Sequence, residues 1–173
     1  SNAPPEPIPP MPALHLSRHV RDAHCLPALR GTSREAVMVE ISQAFVDSGA
    51  LQESGREVLL RSVMQREVRG TTGIGNGVAL PHPTLPEDLR GHLSEVLVGV
   101  GISSRGVDFQ AVDGGPVHAV FLVAASDPQE YLGVARLVAG LARDRNWPKL
   151  LKQCKAAREI RELIEEAWEG LKG

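Results

Sequence analysis

Apolar positions along the chain follow three successive patterns. In the first, Val37, Ile41, Ala44, Phe45 and Ser48 fall on one helical face behind a capping-box pair, Thr32 with Glu35, and Gly49 stops the run. Ser54 with Glu57 repeats the start signal, and Val58, Leu59 and Val63 give a second helix its buried stripe, ending near Gly70. The period then shortens. "TTGIGNGVALP" is glycine-rich with a brief β run from Val78 to Leu80. "SEVLVGVGI" (94–102) and "VHAVFLVAA" (117–125) are apolar and β-branched, as buried strands are, and "VDGGP" (112–116) turns into the second of them.

From Asp127 the helical period returns. Pro128 takes the first helical position, where proline is tolerated, and Tyr131, Val134, Ala135, Val138, Leu141 and Ala142 form one face. "NWPK" predicts a break, followed by helices around 148–154 and 157–168. The last carries Ile160, Leu163, Ile164 and Ala167 on one side, with the charges of "REIRELIEE" on the solvated face. Helices first, strands in the middle and helices last predict an α/β layered sandwich, a mixed central β-sheet with helices on both faces. The sheet is expected to be mixed because some links are too short for parallel crossovers.

The 173 residues suit one domain, placed at 14–173. Residues 1–13 hold "PPEPIPPMP" behind Ser1-Asn2-Ala3, which resembles a tag-cleavage scar; this tail is expected to be disordered. "ALHLSRHV" (13–20) alternates weakly, as an edge strand or a loop would. A net charge of −2 and 3% aromatic residues argue against nucleic acid as a partner. No apolar run reaches membrane length and no leader pattern opens the chain, so no membrane insertion and a cytoplasmic location are expected. Cys25 and Cys154, far apart, read as idle thiols of a reducing compartment. His15, His19, His24 and Cys25 fit no zinc spacing, and no metal is expected.

Chemistry concentrates at "GIGNGVALPHPTLPE" (73–87). The glycines at 73, 75 and 77 superficially resemble a dinucleotide loop, but a helix precedes them and a proline follows the β run, the reverse of what that loop requires. His82 lies between Pro81, with its own φ fixed, and Pro83, which keeps His82 out of helical angles. An imidazole so mounted can be a nucleophile, an acid–base group or a metal ligand; it can also be an ordinary loop histidine.

The run "REVRGTTGIGNGVALPH", Arg66 through His82, resembles the signature of type-2 EIIA domains of the bacterial phosphoenolpyruvate-dependent sugar phosphotransferase system. That is the fructose/mannitol class with its nitrogen-regulatory branch, and the element order agrees over residues 14 to 170. The resemblance implies that His82 accepts a phosphoryl group from a phosphohistidine carrier protein and passes it to a cysteine of an EIIB partner, with no cofactor. It implies that Arg66 stands beside His82, its planar fork matching phosphoryl oxygens. Thr71 and Thr72 match a hydroxyl pair that either binds the phosphoryl group or caps the turn. Leu80, Pro83 and Leu85 are the expected partner-docking rim.

Two positions depart from the family pattern. Pro83 replaces a small residue, often glycine, and Tyr131 stands where many members carry a second histidine; tyrosine keeps one donor but no charge. These departures leave two other readings open. One is a nitrogen-regulatory EIIA whose phosphorylation state controls binding to a regulatory target protein; the other is a scaffold in which His82 no longer reacts. His118, in a buried-looking strand, is expected to be a core or strand-end residue.

Overall fold

Alternation along two central strands decides which side of the sheet each helix covers. The computed structural model describes residues 19–172; the tail at 1–13 and most of "ALHLSRHV" lie outside the described residues. The elements are β1 (Cys25–Leu26), α1 (Arg34–Asp47), α2 (Glu53–Arg69), β2 (Gly73–Gly75), β3 (Val78–Ala79), β4 (Leu97–Val107), β5 (Val117–Ala124), α3 (Pro128–Ala142), α4 (Asn146–Gln153) and α5 (Ala157–Lys172). Short 3-10 turns occur at Asp22–His24 and Pro86–Leu89. The sheet runs β1-β4-β5-β3-β2. It is mixed, as expected: β1 with β4 and β3 with β5 are parallel, while β4 with β5 and β2 with β3 are antiparallel.

On one face Val98, Val100, Ile102, Phe121 and Val123 pack against Val134, Val138, Trp147, Leu151, Ile160 and Ile164 of α3, α4 and α5. On the other face Leu97, Val120 and Leu122 meet Val37, Met38, Ile41, Phe45, Leu59 and Val63 of α1 and α2. The layered sandwich is therefore a sheet with one core on each side. Here α1 lies directly on strand backbone: a Cβ at Gly99 would fall 2.3 Å from Ile41 Cγ2. Only glycine lets the two layers approach this closely.

Local start signals moved by a residue or two. Ser33, not Thr32, caps α1, its Oγ accepting the Ala36 N–H at 3.1 Å. The second helix begins at Glu53, ahead of Ser54, and its Gln52 cap makes no side-chain hydrogen bond. Strand β4 runs on to Val107 through the polar "SSRG", where the register slips between Ile102 and Val107. "NWPK" opens α4 rather than breaking the chain, with Trp147 and Pro148 both buried. A proline in a first turn lacks only an N–H that the helix does not use there, so the break falls earlier, at 143–145.

The glycine-rich stretch holds more order than its composition suggests. Asn76 (φ 54°) and Gly77 (φ 77°) form the two-residue turn of a hairpin joining β2 and β3. Positive φ at both positions matches the twist of a tight hairpin, and Asn-Gly is its usual sequence. Hydrogen bonds from His118 N and Ala119 N to Gly77 O, 2.8 and 2.9 Å, attach the hairpin to β5.

Candidate functional site

Strand β3 and the segment that continues it run parallel to β5 as far as Pro81, which accepts from Val123 N, and in open α/β sheets ligands bind beyond such carboxyl ends. Leu80-Pro81-His82-Pro83 leaves the end of β3, and the start of α3 lies just past the end of β5. The prolines remove two local donors, so the segment is held by bonds from elsewhere. Leu80 N donates to Thr72 O at 3.0 Å, Val123 N to Pro81 O at 3.0 Å, and Thr84 N to Ser62 O at 3.2 Å. The segment is thereby clamped between the hairpin, β5 and α2.

An open depression of about 660 Å³ results. The C-terminal end of α2 supplies Arg66, Arg69 and Gly70; the clamped segment supplies His82, Pro83, Thr84 and Leu85; the first turn of α3 supplies Pro128, Tyr131 and Leu132. Asp127 caps that helix, accepting from Gln129 N at 2.8 Å, which orients Tyr131 toward the depression.

His82 is half-buried, and its Nδ1 lies 2.8 Å from the Leu80 carbonyl. A carbonyl only accepts, so Nδ1 carries the proton and Nε2 keeps its lone pair. The His82 and Tyr131 rings stack, with centroids 3.9 Å apart and planes 20° apart. Burial lowers the His82 pKa most; the Leu80 hydrogen bond opposes this and the Arg66 charge adds to it. The neutral form of the ring is thereby favoured. Burial raises the Tyr131 pKa, with Arg66 opposing, so the phenol stays protonated.

Arg66 Nη1 donates to Gly70 O at 2.7 Å, which caps the end of α2 and fixes the guanidinium. Among the described residues no carboxylate forms an ion pair with it. A cation without a carboxylate partner among the described residues, beside a neutral imidazole, suits an incoming dianionic group.

Neither hydroxyl of the Thr71–Thr72 pair lines the depression. Thr72 is buried and donates its hydroxyl to the Glu67 carboxylate, so it does not line the depression. Thr71 donates to Phe109 O and accepts from Gly73 N at 3.0 Å, which holds the turn. Leu80 is not a rim residue either: it is 3% exposed and belongs to the core beneath α3. Its apolar side chain takes the inward face where β3 ends. Pro83 and Leu85 do line the depression, Pro83 buried and Leu85 46% exposed. No positive φ occurs at position 83, so proline fits this chain path.

Several lining residues escaped the sequence reading, among them the carboxylate Glu87. Arg69 follows Arg66 by three, a spacing that puts both on one helix face. Leu132, 40% exposed, extends the apolar rim. Thr84 is a lining residue whose hydroxyl oxygen is buried and, among the described residues, has no hydrogen-bond partner. His118 lies outside the depression, at the start of β5, with Nδ1 donating to Ser103 O at 2.8 Å. His24 bonds Ser48 through Nε2, and among the described residues no group of three His, Cys, Asp or Glu could hold a metal.

Comparison with known proteins bears on the family and the fold. Residues 22–167 match the family described as "Phosphoenolpyruvate-dependent sugar phosphotransferase system, EIIA 2". The chain is 33% identical over 138 residues to a nitrogen regulatory protein of Bradyrhizobium diazoefficiens, covering 78% of this chain and 84% of that one. Its fold is similar to Nitrogen Regulatory Protein IIA-Ntr from Neisseria meningitidis, with TM-score 0.71, 21% identity, and 86% and 98% of the two chains covered. It is also similar to the complex of enzyme IIAMTL and phosphorylated enzyme IIBMTL from Escherichia coli, with TM-score 0.69, 17% identity, and 83% and 95% covered. The chain belongs to the EIIA 2 family of the phosphoenolpyruvate-dependent sugar phosphotransferase system.

Proposed function

We propose that His82 is the phosphoryl acceptor of this EIIA-type carrier domain, taking the group from a phosphohistidine carrier protein in the cytoplasm and passing it to a cysteine of an EIIB partner. One observation carries the reading. The Nδ1–H to Leu80 O hydrogen bond leaves Nε2 unprotonated, in an open depression that also holds Arg66. In the forward step the Nε2 lone pair forms a P–N bond as the donor's P–N bond breaks, and the electron pair leaves with the donor nitrogen. In the onward step a thiolate of the acceptor forms an S–P bond and the pair returns to Nε2. Neither step needs a metal or organic group from this chain; the protein positions, neutralises and shields. Arg66 and Arg69 offset the incoming negative charge, and Pro83, Leu85 and Leu132 offer an apolar rim to a docking partner.

A second reading has its own support. The relative from Bradyrhizobium diazoefficiens is a nitrogen regulatory protein, and Tyr131 stacks on His82 without contributing a charge. In that reading the phosphorylated and free states of His82 differ in their contacts with a regulatory target protein.

Incubation with phosphoenolpyruvate, enzyme I and the carrier protein tests both. An acid-labile gain of about 80 daltons is expected, the mass of one phosphoryl group, and it should vanish in His82→Ala. Transfer from the labelled protein to an EIIB domain supports the carrier role; stable label without transfer supports the regulatory one. Absence of label from the folded wild-type protein refutes both and leaves a scaffold.

A further inference from the structure

We propose that Glu67 is a positioning residue for the His82 imidazole, acting through a chain of hydrogen bonds that crosses the β2–β3 hairpin. This rests on His82 being the acceptor, but its geometry stands alone. Glu67 follows Arg66 on α2, yet it turns inward and is 4% exposed. Its carboxylate accepts the Thr72 hydroxyl and, at 3.4 Å, the Thr72 N–H. The Thr72 carbonyl accepts Leu80 N–H at 3.0 Å, and the Leu80 carbonyl accepts His82 Nδ1–H at 2.8 Å. A buried acid on a helix is thereby linked to the imidazole through two backbone carbonyls.

Each link constrains the next. Thr72 follows Gly70 and Thr71, where the chain leaves the helix, and its carbonyl is steadied from two sides: Glu67 holds its hydroxyl and N–H, and Thr71 Oγ1 holds the Gly73 N–H. Without Glu67 the acceptor of the Leu80 N–H would keep only the second of these. Leu80 is held on its other side by Val123 N donating to Pro81 O at 3.0 Å. With both anchors in place the Leu80 carbonyl has one direction, and the imidazole has one tautomer. With one anchor loosened the carbonyl swings, and Nδ1 and Nε2 exchange the proton more evenly.

The cost of burying Glu67 shows that it is not idle. Burial raises its pKa, and only Thr72, Arg34 and Arg66 oppose this. Arg34 Nη1 approaches at 3.7 Å, too far to be a strong bond. A carboxylate filling core space alone would be better replaced by an apolar side chain. Arg66, one residue earlier on α2, is held separately by the Gly70 carbonyl.

The test uses the full chain and Glu67→Gln, which matches the size of glutamate but replaces one accepting oxygen with a donor. Folding is checked by circular dichroism and thermal melting. Nitrogen-15 shifts of His82 read the tautomer directly. Wild type is expected almost wholly as Nδ1–H, and Glu67→Gln as a mixture. Phosphorylation of His82 by the carrier protein should lose about tenfold in kcat with donor KM unchanged, the mark of misplacement rather than lost docking. Thr72→Ser, which keeps the hydroxyl, should behave as wild type. If Glu67→Gln fails to fold, Thr72→Val carries the test, removing one link and leaving the carboxylate. A folded variant with an unchanged His82 tautomer and unchanged kcat overturns the proposal. If wild type takes no phosphoryl group, the acceptor reading fails and the tautomer measurement alone decides the role of Glu67.

Discussion

Removing the charge of Arg66 should move two observables at His82 in ways that a generic loss of fold would not. In Arg66→Gln the positive charge that disfavours imidazolium disappears, so the His82 pKa rises; the rise is smaller than the lowering by burial, which is the larger cause. The phosphorylated form loses a charge-assisted hydrogen bond, worth about 1.5–3 kcal/mol. At about 1.4 kcal/mol per decade, that is roughly a 10- to 100-fold fall in the equilibrium fraction of phosphohistidine. The helix cap on Gly70 is lost as well, at a cost of about 1 kcal/mol. Two assays separate these effects. A proton NMR titration of the His82 ring reads the pKa. Mass spectrometry near pH 8, where the ring is neutral in both proteins, reads phosphorylation free of the titration effect. Arg66→Lys should restore the pKa but recover phosphorylation only in part, since an ammonium lacks the planar fork. A folded Arg66→Gln with its His82 titration unmoved or lowered, and phosphorylation unchanged near pH 8, would refute this account of the site.

Two further outcomes are expected. His24 is buried, its Nε2 bonds Ser48 Oγ at 2.7 Å and its Nδ1 has no partner among the described residues; burial and Arg21 lower its pKa to about 4. Between the unfolded value near 6.5 and about 4, the unfolded chain binds a proton that the folded chain refuses. Stability therefore falls as pH drops through that window, by at most about 3 kcal/mol. Urea midpoints at pH 7 and pH 5 should differ more in wild type than in His24→Phe; the difference between the two proteins is the measure, because burial also lowers the His82 pKa. Tyr131→Ala removes the ring stacked 3.9 Å from His82. It should cost about 0.5–1.5 kcal/mol in stacking alone, lower the melting temperature by several degrees and raise the His82 pKa by letting water reach the ring.

The hydrophobic pattern carried most of the elements because burial periodicity is a local property. The stripes of α1 and α3, the strands β4 and β5, and the start of α3 at Asp127 and Pro128 follow from it. Errors fell where the signal was not apolar spacing. The polar end of β4 is a strand because Val107 pairs with Val117, which no local pattern reports. The Asn76-Gly77 hairpin was legible in principle from its dipeptide, but its flanking strands are too short and glycine-rich to alternate.

The chain's own residues were enough to specify a mixed α/β sandwich and to single out an imidazole on a proline-stiffened mount. They could not say which ring nitrogen is free, because that depends on Leu80 O, whose direction is set by Thr72 and Val123. Nor could they say that Thr72 serves Glu67, that Leu80 turns into the core, or that the Thr84 hydroxyl is buried. Side-chain direction and hydrogen-bond partner are set by groups distant in sequence, and only the folded chain brings those groups together.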